Sequence, residues 1–212
     1  MRPPTPAQGT EPVRPAAGAG RDVALVSVFA ALVVVLSLVP AIPVGALGVP
    51  ITLQTLGIML AGLVLGPGRG LAAVAVYVGI GLAGLPVFAG GVGGLAVLAG
   101  PTVGYVLGWF PGTVLTGVVA VLALRRRRGR LPLLILAAVL GGVVVTYLAG
   151  WIGLMLVTGV NPWGAVVGGV LPFLPADGVK VVVAAFVAAS VHRAFPDLLV
   201  RRPGHTQPVA ST

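Results

Sequence analysis

Residues 101–157 read PTVGYVLGWFPGTVLTGVVAVLALRRRRGRLPLLILAAVLGGVVVTYLAGWIGLMLV, two apolar runs without charge on either side of five arginines. Each run supplies the roughly 20 apolar residues that a helix rising 1.5 Å per residue needs to cross a bilayer core. A short connection rich in arginine between two such runs is held on the cytoplasmic side. This stretch therefore predicts two membrane helices joined by an inside loop.

The rest of the chain extends the pattern in both directions. Of its 212 residues, 58% are hydrophobic and only 8% charged, with no cysteine, and the mean hydropathy is +1.11. A soluble domain carries about 25% charged residues. The composition excludes a soluble enzyme, a nucleic-acid-binding protein and a disulfide-stapled secreted module. Charge-free stretches at 23–68, 70–124 and 131–176 predict spans near 23–39, 51–66, 71–85, 101–124, 131–157 and 170–193. Proline and glycine gather in the predicted turns at 40–50, 66–70, 86–100 and 158–169, as loop chemistry requires. Placing the N-terminus inside puts Arg2, Arg14, Arg21, Arg69, Arg125–Arg128, Arg130, Arg193, Arg201 and Arg202 on one side. The outer loops then carry no charge. The expectation is an all-α integral membrane protein with six transmembrane helices and both termini cytoplasmic. Residues 22–195 form the membrane domain, residues 1–21 a disordered proline-rich tail, and residues 196–212 a second disordered tail.

Catalytic chemistry has little to work with. No GxxxxGK[ST] phosphate loop is present, so the chain itself is not expected to hydrolyse ATP. The run Gly90-Gly91-Val92-Gly93-Gly94 lacks the lysine and lies on the outer side. His192 and His205 stand apart from any cluster of acids, so neither a metal site nor a cofactor is expected.

Two residues break the apolar pattern. Asp177 and Lys180 are the ionisable pair inside the last span. Either alone would cost about 2.5–3.5 kcal/mol at a helix centre on insertion scales. Three residues apart, they share a helix face. A mutual salt bridge would neutralise them, yet apolar residues would do that job more cheaply, so a ligand site is the better account. Carboxylate beside ammonium suits a small ligand with N–H donors and an oxygen acceptor. Pro172 and Pro175 break the helix just before the pair, and irregular backbone at membrane depth lines cavities.

Other polar groups are sparser. Thr52, Gln54 and Thr55 open the second span, with Gln54 a candidate pocket residue. Tyr105, Tyr147, Trp151 and Trp163 fall near outer span ends, where an aromatic belt is expected; Tyr105 and Tyr147 are also candidates for ligand contact. Phe88 stands in an outer loop of small and aliphatic residues, placed to cover a pocket. Small residues at four-residue spacing, Gly100–Gly104–Gly108 and Gly62–Gly66, allow close helix approach. Ser27 and Ala31 make a similar pair on the first span, facing either a neighbouring helix or a partner chain.

Four ordered runs then carry a family resemblance: Pro50-Ile51-Thr52-Leu53-Gln54-Thr55, Gly84-Leu85-Pro86-Val87-Phe88-Ala89-Gly90-Gly91, Gly100-Pro101-Thr102-Val103-Gly104-Tyr105, and Pro172 to Lys180. Together they resemble the BioY family, the substrate-binding S component of biotin transporters of the energy-coupling factor (ECF) type, over about residues 23–195. The resemblance implies capture of biotin from outside. It also implies a transmembrane coupling subunit and two cytoplasmic ATPase subunits as partners, in the cytoplasmic membrane of a prokaryote. Asp177 and Lys180 match the family's polar pair, and Ser27 and Ala31 its small-residue face for the coupling subunit, with serine in place of the first alanine. The loops at 40–50 and 86–100 would cap the ligand, although the second offers no polar side chain. The competing reading is a self-contained secondary transporter, which matched broken helices in both halves would favour; Asp177 and Lys180 have no counterpart in the first half. A non-transporting scaffold is the third.

Overall fold

In the computed structural model, residues 17–44, 47–126, 129–196 and 198–199 are described. The helices are α1 (Ala17–Leu38), α2 (Gln54–Leu82), α3 (Val103–Leu124), α4 (Arg130–Ala137), α5 (Thr146–Thr158), α6 (Pro162–Gly169) and α7 (Leu174–Ala194). A π-helical segment, Ala138–Val145, joins α4 to α5 without a break, and a 3-10 turn occupies Leu95–Ala99. Two-residue strands β1 (Ile42–Pro43) and β2 (Pro50–Ile51) pair antiparallel in the first connection. Five helical rods, at 19–38, 54–82, 103–124, 130–158 and 174–194, are long and apolar enough to cross a membrane.

The second of these rods is folded back on itself. Gly66 interrupts α2 with φ 79° and ψ −174°, and Pro67 follows. That backbone conformation is open only to glycine, and proline is well suited to the first position of the new helical leg. Gln54 donates from its side-chain amide to the Tyr77 hydroxyl at 2.5 Å. On a straight helix those residues would stand about 34 Å apart, so the two legs lie side by side. The predicted loop at 66–70 is thus a reversal at one residue, and the predicted spans at 51–66 and 71–85 are its two legs.

Close helix approach holds the bundle. A Cβ on Gly104 would come within 2.9 Å of the Gly153 Cα, and one on Gly108 within 2.8 Å of the Ala149 Cβ, so α3 and α5 touch backbone to backbone. Gly62 meets Thr116 in the same way. Gly100 lies outside α3 and has no such neighbour. At the junction of the π segment and α5, Thr146 Oγ1 donates to the Gly141 carbonyl at 3.3 Å.

Four boundaries differ from the sequence reading. Helix α1 begins at Ala17, inside the predicted tail; residues 1–16 lie outside the described residues, as do 197 and 200–212. At the other terminus Leu198 is buried, and its carbonyl accepts from Arg69 at 2.5 Å. The stretch 158–169, predicted as loop, contains α6, capped by the Asn161 side chain accepting from Gly164 N at 2.7 Å with Pro162 at the helix start. Residues 170–173 form turns rather than helix, so the last span starts at Leu174.

Among the described residues, the charged side chains other than Asp177 and Lys180 collect at one end of the bundle. Arg21 and Asp22 open α1, Arg69 follows the α2 reversal, Arg125 and Arg126 end α3, Arg130 opens α4 and Arg193 ends α7. Arg69 and Asp22 pair at 3.3 Å. Arg127 and Arg128, the terminal arginines and His205 lie outside the described residues.

Candidate functional site

At the opposite end the helix termini surround a cavity of about 340 Å3, within the range of small-ligand sites. Its chemistry starts at α7. Pro175 sits in the first turn, where its missing N–H costs no helical bond, and Asp177 follows on that same turn. There the positive end of the helix dipole favours a carboxylate. Lys180 Nζ lies 2.5 Å from Asp177 Oδ1, and both side chains are buried.

The pair is tied into the bundle. Thr55 donates to Asp177 Oδ1 at 3.0 Å and Tyr147 to Oδ2 at 2.6 Å. Lys180 also donates to the Thr52 carbonyl at 2.5 Å and to Thr55 Oγ1 at 3.0 Å. An ammonium has three donors and a carboxylate about four acceptor sites. Lys180 is therefore saturated, whereas Asp177 keeps one acceptor site on Oδ2. The cavity presents an open anionic acceptor beside a cation already in use.

All six candidate ligand residues, Asp177, Lys180, Gln54, Phe88, Tyr105 and Tyr147, line this one cavity. Phe88 is 4% exposed and packs edge-on against Tyr77 with ring centroids 5.6 Å apart. Tyr105 meets Tyr147 edge-on at 6.4 Å, and its hydroxyl donates to the Gly169 carbonyl at 2.5 Å, drawing α6 over that side. The other two belt aromatics stay out. Trp151 donates to the Pro162 carbonyl at 3.0 Å, and Trp163 is 71% exposed. Ser27 and Ala31 are exposed on one face of α1, away from the cavity. His192 is buried, its Nε2 2.9 Å from the Leu63 carbonyl.

Sequence reasoning passed over Trp109 and Phe173, which also line the cavity. Trp109 is buried, and its indole N–H has no partner. Within an apolar span its side chain carried no signal, since tryptophan at a helical position reads equally as packing.

The comparisons with known proteins fall on this geometry. A model of the BioY family matches residues 10–197. The chain belongs to the BioY family. Among BioY relatives, the biotin transporter BioY of Rhodobacter capsulatus is 44% identical over 194 residues, covering 86% of this chain and 98% of its own. That of Rhizobium etli is 41% identical over 184 residues, covering 85% and 98%. A crystal structure of the S-component for biotin from an ECF-type ABC transporter superimposes with a TM-score of 0.79 at 27% identity, over 85% of this chain and 95% of that one. The BioY fold is thus that of a multi-helix membrane transport protein, and the cavity lies within its matched region.

Proposed function

We propose that this chain captures biotin from outside the cell as the S component of an ECF-type transporter. The observation that carries the reading is the buried Asp177–Lys180 pair at the end of a BioY-family bundle away from the arginines, with one carboxylate acceptor site left open. Biotin has a ureido ring with two N–H donors and a carbonyl, an apolar fused bicycle and a carboxylate tail. A ureido N–H occupies the open site on Asp177. Lys180 reaches a ligand oxygen by exchanging one of its threonine contacts, and Gln54 adds an amide at the mouth of α2. Phe88, Tyr105, Tyr147 and Trp109 enclose the bicycle, so its burial contributes roughly 25 cal/mol per Å2 of apolar surface.

The chain crosses the cytoplasmic membrane of a prokaryote six times, the two legs of α2 counting as two short crossings, with both termini inside. The arginine end faces the cytoplasm and the cavity faces outward. ATP hydrolysis belongs to two ATPase subunits, joined through a transmembrane coupling subunit that docks on the Ser27–Ala31 face. Uptake of labelled biotin tests this assignment. Cells expressing the chain with coupling and ATPase subunits should accumulate biotin, and cells lacking those subunits should not. Equal uptake in both would favour a self-contained transporter.

The docking face makes its own prediction. Ala31→Trp places a large ring on an exposed surface, so biotin binding by the purified chain should be unchanged. Co-purification with the coupling subunit should fall by about tenfold or more, as bulk at a small-residue helix contact forces the backbones apart.

A further inference from the structure

The segment from Gly84 to Gly100 roofs the cavity with Phe88, Ala89, Val92 and Val97, yet it has no polar side chain with which to hold itself down. Its backbone is held instead. The Val87 carbonyl accepts from the Tyr77 hydroxyl at 2.9 Å and from Ser37 Oγ at 2.6 Å. One donor comes from the second leg of α2 and the other from the end of α1. Tyr77 is fully buried, and Ser37 and Val87 nearly so. The single Ser37 hydrogen is contested, because Val34 O in its own helix also lies 2.6 Å away.

The same tyrosine is wired to the charged pair. Its oxygen accepts from Gln54 Nε2, and Gln54 Oε1 accepts from Thr52 Oγ1 at 2.9 Å. The Thr52 carbonyl in turn accepts from Lys180. Gln54 lines the cavity and spends one amide hydrogen on Tyr77, leaving the other for a ligand. A ligand oxygen that accepts this hydrogen fixes the Gln54 amide in place, and with it the Tyr77 hydroxyl that it positions on the roof carbonyl.

We propose that Tyr77 and Ser37 form a two-point latch on the Val87 carbonyl that keeps the 84–100 segment closed, and that Gln54 couples the latch to cavity occupancy. Tyr77 is a positioning residue here; it acts on the ligand through Gln54 and Val87 without lining the cavity. The latch deepens the biotin reading and uses biotin as its probe, but its ligand-free arm stands apart from that reading.

Hydrogen exchange on the purified full chain tests it, with Tyr77→Phe and Ser37→Ala as variants. Phe88 N, bonded to Val92 O at 3.0 Å, and Gly94 N, bonded to Gly81 O at 2.7 Å, are the reporters. Without ligand, Tyr77→Phe should speed exchange of peptides from 84–100 by about tenfold, leaving α3, α5 and α7 unchanged. With biotin, the wild-type segment should slow, and labelled biotin should leave Tyr77→Phe about tenfold faster at a similar association rate. Unchanged exchange at 84–100, or loosening spread evenly over all helices with an unaltered biotin off-rate, would overturn the latch. Should Tyr77→Phe fail to fold, Ser37→Ala reads out the same carbonyl from α1, with the same outcomes deciding. A wild-type segment indifferent to biotin, beside a loosened ligand-free Tyr77→Phe, would uphold the latch; with biotin shown bound by dialysis it would overturn the Gln54 coupling, and with none bound it would count against biotin as the ligand.

Discussion

Asp177→Asn is expected to weaken biotin binding about 100-fold. A hydrogen bond to a charged group contributes about 1.5–3 kcal/mol, and every 1.4 kcal/mol is a factor of ten. The amide keeps the shape of the carboxylate but turns one acceptor into a donor. That donor would face either the Tyr147 hydroxyl or the ureido N–H where Oδ2 now stands. The substitution also strands the Lys180 ammonium, which loses its countercharge while remaining buried. Breaking a buried ion pair from one side costs about 3–5 kcal/mol of stability, so the melting temperature of the single variant should fall as well. The double variant Asp177→Asn with Lys180→Met separates the two effects. Removing both charges should restore stability, since apolar replacement of a buried pair is often neutral. Binding should stay lost. Recovery of both in the double variant would make the pair structural only.

Gly66→Ala is expected to destabilise the fold by about 1–3 kcal/mol, the cost of holding an alanine in a region open only to glycine. At φ 79° and ψ −174° the new methyl would also stand 2.6 Å from the Leu199 side chain. Gly68→Ala, two residues on, is the matched control. No atom lies within 4 Å of its Cβ, and it occupies the helical leg after the reversal. Alanine there should be neutral or stabilise by up to about 1 kcal/mol. Thermal unfolding of both variants in one detergent checks the opposite signs. Equal effects would mean that the reversal does not depend on Gly66. Loss at Gly66 alone should also weaken biotin binding, because the reversal sets Gln54 beside Tyr77.

These two positions mark what could be read in the chain and what could not. Asp177 and Lys180 were legible because charge at membrane depth is costly enough to demand a reason, and their spacing put them on one face whatever the tertiary fold. The long apolar runs and the gathering of arginines were legible on the same grounds. Gly66 was read as one residue of a five-residue loop, since Gly-Pro-Gly-Arg-Gly signals a turn without saying that a single positive φ completes it. Helix α6 was missed although Asn161-Pro162 is a helix-start signature; glycines at 164, 168 and 169 hid it. The partners of the charged pair were beyond reach for another reason. Lys180 meets Thr52 and Thr55 across 128 and 125 residues of chain, and only the packed bundle brings them together. Tyr77 and Ser37 escaped notice likewise, because their partner is a backbone carbonyl that leaves no mark in the sequence.

Equilibrium dialysis of the purified full-length chain against labelled biotin tests the central claim most directly. The account predicts saturation at one biotin per chain, with Asp177→Asn in parallel losing about two orders of magnitude in affinity. Absence of saturable binding, or binding that Asp177→Asn leaves untouched, would contradict it.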